Sequence, residues 1–221
     1  MSATDHIQKT QPALLTRIAA VLCVLGGVAG GFGPWVAHKA AALVVTGVDL
    51  AEFVKFLPEV RAGTFTLTRE LYYLPLFCGS ILLVLIASDR GLAYPWPIRW
   101  LLVALSVPVA LSMLPPAWTP HLMRAPEFRV QALAILVCLL LALCHTLLRR
   151  LKPWPLRLAG IVLALLAAVI PLWQFLRVRP LIASVYNKPV ALGWGPYITV
   201  VAFALTAILV ATLRWLVPEE R

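Results

Sequence analysis

Charge is scarce in this chain. Only 13 % of its 221 residues are Asp, Glu, Lys or Arg, and just nine residues are acidic. A soluble domain carries about 25 % charged and about 45–50 % apolar residues. Here 62 % of residues are hydrophobic and the mean hydropathy is +0.91. Too little polar material is present to cover a water-facing globule, which excludes an ordinary soluble enzyme and a disordered chain. Cysteine is sparse too. Cys23, Cys78, Cys138 and Cys144 lie inside apolar runs without a CxxC pair, which excludes a disulfide-rich secreted module and leaves them as packing residues. A P-loop, a nucleophile elbow, HExxH and a dinucleotide fingerprint are all missing. Asp49, Glu52, Glu59, Glu70 and Glu127 each have a basic residue within a few positions and form no evident acid–base pair. No catalytic residue is therefore predicted.

What remains are long apolar runs. A spanning helix needs about 20 mostly apolar residues, and six stretches qualify: 14–36, 70–88, 99–117, 129–148, 157–176 and 194–216. None has a charge near its middle, so ion-coupled chemistry within the bilayer is not expected. Backbone amides in lipid must be satisfied internally. The predicted fold is thus an all-α integral membrane protein, a single transmembrane domain over 1–221 with six spans. Tryptophans mark both ends of these runs, Trp35, Trp118, Trp173 and Trp194 at one and Trp96, Trp100, Trp154 and Trp215 at the other, as an aromatic belt would.

The net charge of +10 points to headgroups rather than nucleic acid, because the basic residues border the apolar runs. Arg149, Arg150, Lys152 and Arg157 form the densest cluster, in the short connection RRLKPWPLR, and are the expected contacts to anionic lipid. By the weight of that loop in the positive-inside rule, both termini are placed in the cytoplasm of a bacterial-type inner membrane. The apolar run before AHKAAA at 37–42 is too long for a cleaved signal peptide.

Two connections carry nearly the same words, PWPIR at 95–99 and PWPLR at 153–157, and PPAW at 115–118 is echoed by PLW at 171–173. QPALLTR at 11–17 with GPW at 33–35 fits more loosely, and LLRRLKP at 147–153 is similar to TLRWLVP at 212–218. Three tandem helical hairpins, about 11–92, 93–151 and 152–218, account for this.

The segment 37–69 is the one extended polar loop, placed outside. Within it, Leu50, Phe53, Val54 and Leu57 recur at helical spacing, predicting a short amphipathic helix over 49–60 that starts with Asp49 as N-cap and Glu52 three residues on. It would be a lid or docking element on the bundle's rim, or a loop that buries its own apolar face.

Three further features bear on function. Gly26, Gly27, Gly30 and Gly31 make two overlapping GxxxG pairs, which favour close approach of another helix in this chain or a second subunit. Glu70, Tyr72, Tyr73, Arg129, Gln131 and Gln174 fall near the outer edge and could converge on a shallow polar cavity, or simply be wetted by headgroups. His38 and His121 each follow a tryptophan by three residues and are candidate haem or metal ligands, but no Cys, Asp or Glu stands at ligand spacing. Solvated loop histidines are expected, and no cofactor is predicted. The chain reads as a non-catalytic membrane subunit that packs with or scaffolds a larger complex. An autonomous small-molecule or lipid transporter with a site near the outer leaflet is the alternative, and a haem- or quinone-binding redox subunit the third.

Overall fold

The computed structural model describes residues 3–38, 44–115 and 118–216, with side chains described for 14–38, 44–115 and 118–212. Lys9, Lys39, Arg214, Trp215, Arg221 and the Pro116–Ala117 step of PPAW lie outside the residues or side chains described. The protein is mostly helical. Its helices are α1 (Ala3–Phe32), α2 (Gly47–Phe53), α3 (Pro58–Arg61), α4 (Leu74–Ser88), α5 (Trp96–Leu111), α6 (Arg129–Leu143), α7 (His145–Leu148), α8 (Pro153–Tyr186) and α9 (Gly195–Leu216). Three short strands join them: β1 (Pro34–Ala37), β2 (Val45–Thr46) and β3 (Ala191–Leu192).

Among the described residues five helical segments are long and apolar enough to cross a membrane: Leu14–Phe32, Arg69–Ser88, Pro126–Leu143, Pro153–Tyr186 and Gly195–Thr212. Trp96–Leu111 is apolar but shorter. Prolines in the first turns of α4, α5 and α8, where a missing N–H costs nothing, fix where these helices begin.

A helix that is apolar on every side is stable only when surrounded, and α4 is surrounded: it packs against α1, α5, α6 and α8, and nearly all its residues are buried. The others bury one stripe. On α8 that stripe is Arg157, Gly160, Ala164, Ala167, Pro171, Gln174, Val178 and Ile182, spaced three or four apart. At 34 residues, α8 is about 51 Å long, well beyond the roughly 30 Å hydrocarbon layer.

The small sheet is a departure from the predicted all-α fold. The first apolar run stops being helical at Phe32, because Gly33 and Pro34 turn the chain into β1. β1 is central, antiparallel to β2 (Pro34 opposite Thr46, Val36 opposite Val45) and to β3 (Val36 opposite Leu192, Ala37 opposite Ala191). Gly193 permits the approach of β3, since a Cβ there would fall 2.0 Å from the Pro34 carbonyl oxygen. This sheet and the 44–73 segment cap one end of the bundle.

Trp35, expected in the aromatic belt, is instead the core of that cap. It is 1 % exposed, donates from Nε1 to the Gly30 carbonyl at 3.1 Å, and meets the rings of Phe175 and Tyr72 edge to face. Trp118, Trp173 and Trp194, and at the other end Trp96, Trp100 and Trp154, are exposed as a belt requires.

The predicted loop helix over 49–60 is three pieces, α2, a 3-10 turn at Val54–Phe56, and α3 after Leu57. Its cap lies three residues earlier than predicted. Thr46 is the N-cap, its hydroxyl accepting from the Asp49 amide at 3.1 Å while the Asp49 carboxylate reaches back to the Thr46 amide at 3.4 Å. Leu50, Val54 and Leu57 are fully buried and Phe53 half-buried, so the loop buries its own apolar face.

The four glycines of α1 are used inside the chain. α1 lies chiefly along α9, and a Cβ on Gly30 would stand 2.6 Å from the Thr199 backbone nitrogen, one on Gly27 2.6 Å from the Phe203 ring. Gly26 and Gly31 are looser, with the nearest atoms at 3.5 and 3.6 Å. Gly30→Ala is therefore expected to cost about 1–3 kcal/mol through overpacking against unyielding backbone. Gly26→Ala should be neutral or gain up to about 1 kcal/mol of helix propensity. Thermal unfolding of the two variants in detergent checks this, and equal melting temperatures would refute the assignment.

Candidate functional site

Residues 69–73 form a 3-10 turn that leads into α4 and places Arg69 and Glu70 at the cap end. Arg69 is 8 % exposed, and burial of a guanidinium requires partners. It has them: Nη1 donates to Glu52 at 2.7 Å, Nη2 to the Glu127 carbonyl at 2.6 Å, and Nε stands 3.3 Å from the Glu70 carboxylate. Its plane also covers the Phe128 ring at 4.9 Å. Lys55 bridges Glu52 at 2.5 Å and Glu127 at 2.7 Å. Burial pulls the Lys55 ammonium down, but the hydrogen bonds to Glu127 and Glu52 outweigh it, leaving its pKa above the usual lysine value. Three carboxylates thus face two cations, and both cations are committed.

Beside this network, between α4 and α6, lies a cleft of about 340 Å³. Its cap-end rim is Thr68, Glu70 and Tyr73, and its walls descend along Leu74, Phe77, Leu133, Ala134 and Val137. Gln131, in the first turn of α6, closes the polar end at 2 % exposure. Its Nε2 donates to the Met113 carbonyl, while its Oε1 accepts no hydrogen bond. An amide oxygen buried without a donor is costly, about 1–3 kcal/mol. Polar residues gather at one end of the cleft, while nearly all the surface it exposes is apolar.

The structure brings together only part of the predicted polar cavity. Glu70, Tyr73 and Gln131 share the cleft. Tyr72 and Gln174 turn into the core, Tyr72 against Trp35 and Gln174 donating to the Thr68 carbonyl at 2.9 Å, while Arg129 is exposed at the start of α6. His38 is exposed with its ring 6.0 Å from that of Tyr186, and His121 is exposed in the α5–α6 connection. Among the described residues no group of three or more His, Cys, Asp or Glu is placed to hold a metal ion. Of the basic cluster, Arg150 and Lys152 are exposed and Arg149 half-buried, but Arg157 is buried. It is 8 % exposed and donates from Nε to Asp89 at 2.8 Å, and Asp89 also caps the Gly91 amide at 2.7 Å.

Comparison with protein-family models, curated proteins and solved structures gives no match. The site must be read from its own chemistry. Thr68, Leu74, Phe77, Met113, Leu133, Ala134 and Val137 were missed from the sequence, because nothing in an apolar run distinguishes a residue lining a cleft from one facing lipid.

Proposed function

We propose that this is a lipid-handling membrane protein that takes an amphiphile into the cleft between α4 and α6, within the leaflet nearest the cap. The observation that carries this is the cleft itself, with Thr68, Glu70 and Tyr73 at its cap-end rim and an almost wholly apolar lining of a kind that suits an acyl chain. Six crossings, α1, α4, α5, α6, α8 and α9, arranged as three hairpins with both termini in the cytoplasm, would put the cap on the outer face of a bacterial-type plasma membrane. The α1 glycines and the apolar face of the 49–60 segment, which suggested a scaffolding subunit, have contacts within the chain. Arg150 and Lys152 remain the candidates for anionic headgroups at the opposite end.

Reconstitution with a phospholipid carrying a photoreactive diazirine in its acyl chain tests the reading. Crosslinks are expected to concentrate on Leu74, Phe77, Leu133 and Val137, above the level found on exposed apolar positions outside this cleft such as Leu143 and Ile208. Uniform labelling of both sets would overturn it.

A further inference from the structure

We infer that the headgroup selected at this cleft is a primary amine, as in a phosphatidylethanolamine-type lipid; the inference rests on the lipid-handling reading above. It follows from which hydrogen-bonding groups at the rim are spent and which are left. Arg69 commits Nη1 to Glu52 and Nη2 to the Glu127 carbonyl, and Lys55 is held between Glu52 and Glu127. The rim's cations are therefore occupied. Besides the Thr68 and Tyr73 hydroxyls, what is left is on the accepting side. Glu70 has a 3.3 Å contact to Arg69 Nε as its ion pair, its side chain is 22 % exposed, and it lines the cleft. Gln131 is 2 % exposed in the same cleft with Oε1 accepting nothing. With Glu52, Glu70 and Glu127 against Lys55 and Arg69, the local formal charge is one negative.

An orphaned buried acceptor and an excess carboxylate are complementary to a cationic donor with several N–H bonds. An ammonium has three such donors. A quaternary choline has the charge but no N–H, so it cannot satisfy Gln131. A glycerol headgroup on an anionic lipid brings hydroxyls but adds negative charge where one is already in excess. The amine would sit between Glu70 and Gln131, with the acyl chain along Leu74, Phe77, Leu133 and Val137 and the phosphate toward the water-facing rim.

The test is native mass spectrometry of the full chain released from detergent with phosphatidylethanolamine, phosphatidylcholine and phosphatidylglycerol of identical acyl chains. Retention of the ethanolamine lipid over the choline lipid is expected to be about tenfold, the value of one charge-assisted hydrogen bond. Gln131→Leu and Glu70→Gln should each bring that ratio toward one while lipid is still retained. Glu70→Gln changes a partly exposed residue and keeps the test open if Gln131→Leu does not fold. Ala134→Trp fills the cleft wall and should abolish retention of all three lipids. Equal retention of ethanolamine and choline lipids, or preference for the glycerol lipid, with sensitivity to Ala134→Trp, overturns the headgroup inference alone. Retention indifferent to Ala134→Trp overturns the cleft reading itself.

Discussion

Arg157→Ala is expected to remove most folded protein from the membrane fraction. The mutation leaves Asp89, 6 % exposed, as an uncompensated buried charge, and breaking a buried pair from one side costs about 3–5 kcal/mol. That is a large part of the roughly 5–15 kcal/mol that holds a typical domain together. The pair joins the end of α4 to the first turn of α8, and Asp89 also holds the turn at Gly91. Replacing both partners by apolar residues, Asp89→Leu with Arg157→Met, should recover much of the loss, because an apolar pair requires no counter-charge. Yield and melting temperature of the single and double variants after size-exclusion in detergent check this. If the double variant is no better than Arg157→Ala, packing rather than charge holds the junction.

Trp35→Ala should be as damaging. Emptying a fully buried tryptophan site costs about 3–5 kcal/mol, or about 6–20 °C of melting temperature for a chain of this size. The hole cannot collapse easily, because the ring is enclosed by Gly47, Gly195, Tyr72 and Phe175 from four separate segments. Trp35→Phe keeps an aromatic ring at the site but loses the Nε1–H donated to Gly30 and part of the ring volume, so an intermediate cost of about 1–3 kcal/mol is expected. A thermal-shift series of wild type, Phe and Ala should fall in that order. Ala and Phe variants melting together would mean that the hydrogen bond, and not the ring, anchors the cap.

The membrane character and the rough places of the apolar helices were legible in the sequence because they depend on composition over windows of twenty residues. The small sheet was not. Its strands are two to four residues long, and β1 pairs with β3 across more than a hundred intervening residues, so no local pattern announces it. Trp35 illustrates the same limit. A tryptophan at the end of an apolar run has the belt's signature whether it faces lipid or core, and only Gly47 and Gly195, distant in sequence, make room for it inside. The loop helix was legible in its spacing but not in its break, which Pro58 imposes. Of the polar cavity, the three residues on one turn and one helix start, Glu70, Tyr73 and Gln131, do share a cleft. Tyr72 and Tyr73 are neighbours on a 3-10 turn, about 120° apart, and that turns Tyr72 into the core instead. The ion pairs of Arg69 with Glu52 and of Arg157 with Asp89 were hidden because their partners are 17 and 68 residues away.

The lie of α1 along α9 also sets an order of assembly. Gly27 and Gly30 are shaped to receive Phe203 and Thr199, yet residues 33–194 must be synthesised before α9 exists. Until then the glycine face of α1 stands open to lipid or to the translocation machinery, and the cap lacks both β3 and the Gly195 wall of the Trp35 site. The α1–α9 seam is therefore closed by a zipper whose second half is made only after residues 33–194. A chain stopped before Gly195 would keep α4 among α1, α5, α6 and α8 but leave the glycine face of α1 without its partner helix.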